Sequence, residues 1–101
     1  MKIVLAEDHR GKLFGERTFT ADVVIVGRDP ATCHYYVAQD QWPMVSRKHA
    51  EFVRSGSEYT IRDVGSLNGT YVNGERVEQT ELASGDEVQI GKFKLGFFAR
   101  E

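Results

Sequence analysis

The sequence contains a single cysteine, and this scarcity limits both how the chain is stabilised and where it works. Cys33 alone excludes an internal disulfide and favours a reducing compartment. Long apolar runs are also missing, because acids appear at Glu7 and Asp8 after a short apolar start. We therefore expect neither a signal peptide nor a membrane span. These observations predict an intracellular protein, in the cytoplasm or the nucleus, with no membrane partner.

An excess of basic charge is absent as well. The net charge of −2 provides no global field to attract nucleic acid, so any anion site must be local. No sequence window has the period of a long helix. The best candidate, residues 45–49, is too short for more than one turn. We expect no nucleic-acid partner and little or no helix.

Short β-forming segments separated by glycine are what the chain does contain. With 101 residues, 41% apolar, it is long enough for one domain, residues 1–101, with a single core. Ten glycines recur between short apolar runs, which indicates an all-β sandwich or barrel. The predicted strands cover residues 3–5, 17–20, 23–26, 33–37, 50–54, 59–62, 70–72, 87–90 and 93–97.

Residues 63–74 form the most informative stretch, with three glycines and two Asn-Gly pairs. The pair Asn73-Gly74 lies between β-forming residues and predicts a tight hairpin turn, because both residues tolerate positive φ. The first pair, Asn68-Gly69, follows Ser66 and Leu67 and indicates an irregular polar loop. Such a loop, held between rigid strands, is a typical place for function.

Two further polar clusters adjoin strand-like segments. Gly27-Arg28 follows the run at 23–26, and residues 45–50 contain Ser46, Arg47, Lys48 and His49 before the strand at 50–54. Together with the loop at 63–70, they supply guanidinium, hydroxyl and amide groups. These groups suit a phosphate or a carboxylate.

The order and spacing of the three clusters resemble the forkhead-associated (FHA) domain family. The matching residues are Gly27-Arg28, then Ser46-Arg47-Lys48-His49-Ala50, then residues 63–70, followed by Asn73-Gly74. The resemblance runs from about residue 3 to residue 97. It implies a β-sandwich of about eleven strands with ligand loops at one end. It also implies a module that binds phosphothreonine in protein partners, without enzymatic activity or cofactor, in Ser/Thr kinase signalling and usually within a longer protein.

The resemblance also implies a role for each residue. Arg28 would hold the phosphate, and Ser46 and Arg47 would add contacts to it. Asn68 would bond the peptide backbone, and the loop backbone at Ser66 and Leu67 would line the rest. The expected loop scaffold consists of Gly27, His49, Gly69 and Asn73, and Asn73 is an alternative peptide contact.

Two features depart from the family pattern. Eighteen positions separate Arg28 from Ser46, a few more than we expect, and the extra residues fall within residues 31–44. Leu67 stands where some members have a hydroxyl residue. Trp42 and the pair Tyr35-Tyr36 in the longer loop are expected to serve packing more than binding.

Other functional classes have weaker support. Ser46 and His49 alone do not make a hydrolase, which also needs an oriented third group. Cys33-His34 lacks the spacing of a zinc site, and no metal is expected. A phosphate-independent assembly domain on the same fold remains the main alternative, and nucleic-acid binding through Arg28, Arg47, Lys48 and Arg76 is a lesser one.

Overall fold

The computed structural model describes residues 1–38 and 40–101, and these residues form eleven strands in two sheets. The strands are β1 Lys2–His9, β2 Lys12–Phe19, β3 Val23–Gly27, β4 Tyr35–Tyr36, β5 Ala50–Ser55, β6 Glu58–Asp63, β7 Thr70–Val72, β8 Glu75–Val77, β9 Gln79–Leu82, β10 Glu87–Ile90 and β11 Phe93–Arg100. The expected β-sandwich is confirmed. Among the described residues, no helix forms at 45–49 or elsewhere.

One sheet has six strands in the order β2-β1-β11-β10-β7-β8, and the other has five in the order β4-β3-β5-β6-β9. The pairings are antiparallel except for the parallel pair β3–β4. The predicted hairpin at Asn73-Gly74 is confirmed, because φ is 50° and 86° at these residues and β7 pairs with β8 on either side. Arg10 and Gly11 make the same kind of turn between β1 and β2.

The core lies between the sheets and is joined across the sandwich by aromatic rings. Phe52 of β5 stacks on Phe97 of β11 with ring centroids 5.9 Å apart, and Tyr59 of β6 meets Phe97 edge-on at 5.7 Å. Both phenylalanines are fully buried. Burying such a side chain contributes about 1.5–3 kcal/mol, so these contacts hold the two sheets in one relative position.

Several predicted strand limits are wrong, on interior strands such as β1 and β11 as well as on edge strands. β2 begins at Lys12 instead of residue 17. The prediction missed this start because the side chains of β2 are nearly all exposed and show no alternation of buried and exposed positions. β9 was not predicted, because Gln79–Leu82 is polar and buries only Leu82. In β3, Val23 is exposed and Ile25 is half-buried, whereas Val24 and Val26 face the core.

His49 is the fully buried residue that ties two loops together. Its Nε2 donates to the Gly69 carbonyl at 2.7 Å, and its Nδ1 accepts from the Ser46 backbone N–H at 3.0 Å. This arrangement requires the neutral tautomer with hydrogen on Nε2. Burial lowers the pKa of His49 and outweighs the Gly69 hydrogen bond and the Asp63 charge, both of which raise it.

Gly27 lies where β3 meets the loop before β5, in space that a side chain would fill. A Cβ there would lie 2.8 Å from the Arg47 carbonyl carbon and 2.9 Å from the Ser46 carbonyl oxygen. Both contacts are backbone atoms, so relief requires the loop itself to move. The same loop is bonded to the residues after Gly27, through Arg28 N–H to Ser46 O and Asp29 N–H to Arg47 O, both 3.2 Å.

Gly27→Ala is expected to lower the free energy of unfolding by about 2 kcal/mol or more, because the added methyl collides with backbone. The matched control is Gly96→Ala, also within a strand, where the nearest atoms are the ends of the Leu13 and Phe98 side chains. This control should cost less than about 1 kcal/mol. Chemical denaturation of the two variants measures the difference, and equal midpoints would contradict the prediction.

Acid is expected to weaken the fold through His49. The folded-state pKa lies below the ordinary 6.5, so the stabilisation is present above that pH and is lost as the pH falls. The free energy of unfolding should therefore decline between about pH 7 and about pH 5. His49→Gln should lower stability at neutral pH and flatten this decline, whereas His9→Gln, on the surface, should preserve it. A profile unchanged by His49→Gln would refute this role.

Candidate functional site

The three polar clusters meet at one end of the sandwich. Register places Val26 opposite Ala50 and Ala50 opposite Asp63, so the end of β3, the start of β5 and the end of β6 share one edge. Thr70, at the start of β7, donates its hydroxyl to Asp63 at 2.9 Å and brings the other sheet to the same edge. The antiparallel order therefore gathers loops that are far apart in sequence.

Arg28 is half-buried at the centre of this end. Its Nε donates to the Val45 carbonyl at 2.8 Å, which fixes the guanidinium beside the loop that contains Ser46. Its two terminal nitrogens make no hydrogen bond to any described residue. A planar fork with both terminal amino groups unused suits bidentate contact with an anion.

Ser46 joins two of the loops through its side chain. Its Oγ accepts the Leu67 backbone N–H at 3.1 Å, which leaves the hydroxyl hydrogen available for a ligand. His49 is not a base for this hydroxyl, because both of its ring nitrogens bond to backbone groups. The arrangement therefore favours anion binding over nucleophilic chemistry at Ser46.

Asp63 organises the loop at 63–70, a role that the sequence analysis missed. Its carboxylate accepts the backbone N–H groups of Gly65 and Ser66, both at 2.9 Å, and the hydroxyls of Ser66 and Thr70. Burial raises the pKa of Asp63, but these hydrogen bonds together outweigh it and hold the pKa below its ordinary value. The Asp-x-x-Ser spacing was the available signal, since aspartate commonly caps such turns.

The loop presents Leu67 and Asn68 outward and turns Ser66 inward. The Ser66 hydroxyl also accepts from Gly69 N–H at 3.0 Å, so only its backbone is left to line a ligand. Leu67 is 85% exposed, the most exposed large apolar residue described. Asn68 donates from Nδ2 to the Met44 carbonyl at 2.9 Å, while its Oδ1 has no partner among the described residues.

Cations dominate the electrostatics of this end despite the net negative charge of the chain. Arg47 and Lys48 are exposed there, and neither forms an ion pair with a described residue. The nearby acids are already engaged: Glu51 pairs with Arg62 at 3.1 Å, and Asp29 accepts from Ala31 N–H and the Thr32 hydroxyl. Arg28, Arg47 and Lys48 therefore lie at this end without an ion-pair partner among the described residues.

Asn73 lies apart from the other candidate residues. Thr70 begins β7, and Asn73 follows the other end of that strand. There its Nδ2 donates to Asp86 and its Oδ1 accepts from Glu87 N–H. The structure therefore links Asn73 to the loop before β10 and does not bring it to the polar clusters.

The longer loop at 31–44 packs beside the site, apart from Gln39, which lies outside the described residues. Tyr35 is buried, and Trp42 meets Phe93 edge-on with centroids 5.0 Å apart. Together with Arg17, whose guanidinium lies 4.9 Å above the Tyr35 ring, they line a cleft of about 310 Å³. None of the candidate phosphate residues lines this cleft.

Residues 1–38 and 40–101 contain neither a metal-binding cluster nor a membrane-crossing helix. No group of three or more His, Cys, Asp or Glu side chains in these ranges is arranged to hold a metal ion. The same ranges contain no helix with the length and apolar character needed to cross a bilayer.

Comparison with known proteins places the chain among relatives with related sequence or structure. It is 66% identical over 53 residues to the glycogen accumulation regulator GarA of Mycolicibacterium smegmatis, covering 52% of this chain and 34% of GarA. It is 62% identical over 53 residues to the oxoglutarate dehydrogenase inhibitor of Corynebacterium jeikeium, covering 52% and 37%. The chain thus matches about a third of the length of these curated relatives.

A solved structure gives a match over nearly the whole chain. Mycobacterium tuberculosis EmbR in complex with a low-affinity phosphopeptide superposes with a TM-score of 0.82 and 26% identity, covering 97% of this chain and 24% of that chain. The family model described as "FHA domain" matches residues 24–91, which is more than half of the sequence and includes all three polar clusters. The chain therefore belongs to the FHA domain family.

Proposed function

We propose that the chain is a phosphothreonine-peptide binding module that recruits phosphorylated protein partners in Ser/Thr kinase signalling, and that it is not an enzyme. The observation that carries the proposal is the placement of Arg28 and Ser46 side by side, with the guanidinium fork and the hydroxyl hydrogen both unused by described residues. A phosphate group carries about −1.5 to −2 charges and three acceptor oxygens, which these donors would satisfy.

In this proposal, Arg28 binds the phosphate bidentately and Ser46 donates a hydroxyl hydrogen bond to it. Arg47 adds a further cation from the exposed side. Asn68 contacts the peptide backbone through its Oδ1, and the Leu67 backbone lines the remainder. Each charged hydrogen bond contributes roughly 1.5–3 kcal/mol, so two or three, less ordering costs, support an affinity on the order of micromolar.

The relatives support a regulatory and non-catalytic role. The names of GarA and of the oxoglutarate dehydrogenase inhibitor describe a regulator and an inhibitor, and the EmbR structure contains a phosphopeptide. Their own partners are not assigned to this chain.

Phosphate dependence is the direct test. The folded chain should bind members of an oriented phosphothreonine peptide library, and the unphosphorylated copies of the selected peptides should bind at least about tenfold more weakly. Phosphoserine copies measure the preference for threonine that the family implies. If no phosphopeptide bound to a sample shown to be folded, the module assignment would fail and the assembly-domain alternative would take its place.

Arg28→Ala is expected to weaken phosphopeptide binding at least about tenfold, equivalent to about 1.4 kcal/mol. Arg28→Lys should restore only part of the affinity, because an ammonium group cannot bind the phosphate bidentately. Arg100→Gln, at the far end of β11, is the control and should bind like the wild type. Isothermal titration with one phosphothreonine peptide measures all four proteins, and unchanged affinity of Arg28→Ala would remove Arg28 from the site.

A further inference from the structure

The guanidinium of Arg76 lies against the backbone of the loop that presents Asn68. A Cβ added at Gly69 would lie 2.9 Å from Nε and 3.1 Å from Cζ of Arg76. Gly69 has φ of +89°, and its missing side chain leaves the space that this guanidinium occupies. Any larger residue at 69 would displace Arg76 from the loop.

The register of β7 with β8 explains how Arg76 reaches this position, and a hydrogen bond from Tyr71 holds the neighbouring loop. β7 and β8 pair with Tyr71 opposite Arg76, so their side chains share one face of the sheet. The Tyr71 hydroxyl donates to the Asn68 carbonyl at 3.3 Å and would lie 3.2 Å from the same added Cβ. Tyr71 therefore links the loop backbone at Asn68 to the surface on which Arg76 lies.

Arg76 is exposed and carries an unused positive charge. Arg54 and Arg62 pair with Asp22 and Glu51, whereas Arg76 forms no ion pair and donates no side-chain hydrogen bond within the described part of the chain. Its own strand neighbour Glu75 does not reach it within 4.0 Å. A guanidinium in this state can still accept a carboxylate or a phosphate as a partner.

Arg76 lies within reach of a peptide bound at the proposed phosphate site. Leu67 N–H bonds to the Ser46 hydroxyl, and Gly69 is two residues further along the chain. Two residues span at most about 7.6 Å between Cα atoms. An extended peptide advances about 3.3 Å per residue, so a side chain two to four positions from the phosphothreonine would lie near Arg76.

We propose that Arg76, lying over Gly69, forms a second anion subsite that selects partners with an acidic or phosphorylated side chain close to the phosphothreonine. This inference rests on the proposed function. Leu67 is exposed on the same loop, two residues before Gly69, and would contact neighbouring residues of the peptide. The subsite would act on partner choice, because an exposed pair of this kind adds modest affinity.

A peptide series separates this subsite from the phosphate site. The parent peptide has one phosphothreonine with alanine at the four positions on either side, and each position is replaced in turn by glutamate, phosphoserine or lysine. In the wild-type chain, glutamate or phosphoserine at one position should raise affinity between about twofold and fivefold, and lysine there should lower it. The larger of the two gains identifies whether a carboxylate or a second phosphate is preferred.

Charge-swapped variants assign the effect to Arg76. In Arg76→Gln the gain should disappear, and in Arg76→Glu lysine at that position should become the preferred residue. Arg100→Gln should retain the wild-type pattern, and thermal unfolding confirms that all variants are folded. Retention of the gain in Arg76→Gln, or no gain at any position in the wild type, would overturn the subsite while phosphothreonine-dependent binding of the parent peptide persists. Failure of the wild type to bind the parent peptide would overturn both proposals.

Discussion

The end of this domain where the three polar clusters meet depends on one neutral imidazole. His49 bonds the Ser46 amide on one side and the Gly69 carbonyl on the other, and so fixes the loop that carries Ser46 relative to the loop that carries Asn68. The imidazole is fully buried, where an unpaired donor or acceptor would cost about 1–3 kcal/mol. Protonation would put a hydrogen on Nδ1, facing the Ser46 N–H. Both hydrogen bonds therefore form only while the ring is uncharged.

Asp63 fixes the conformation of one loop by hydrogen bonds, as His49 fixes two loops relative to each other. It collects four donors from residues 65–70, so the loop is shaped by a carboxylate at its base instead of by regular secondary structure. The Leu67 side chain is left exposed, and the Oδ1 of Asn68 has no partner among the described residues. A loop fixed by internal hydrogen bonds, with outward groups that have no internal partner, is the arrangement expected of a preorganised binding surface.

The charged groups at this end are also divided between those bonded within the domain and those left free. Acids at this end are bonded to their own loops or paired, while Arg28, Arg47 and Arg76 are left available to a ligand. A chain with net charge −2 thus places several unpaired cations together without a global basic field. Recognition of a single phosphorylated segment needs only such a local field.

The sequence by itself determined the class of fold, the Asn73-Gly74 hairpin and the identity of the three polar clusters. These depend on local rules, namely alternation of buried side chains, positive φ at glycine and asparagine, and motif spacing. The first half of β2 was missed because its exposed side chains carry no alternation, and β9 was missed because Leu82 is its only apolar residue. Only the tertiary structure decided that Asp63 anchors its loop, that Asn73 lies at the opposite end of β7, and that Arg76 rests on Gly69. Those outcomes depend on the conformation of the loops and on the pairing of β7 with β8, which local rules leave open. A one-residue change of that register would move the Arg76 side chain to the other face of its sheet.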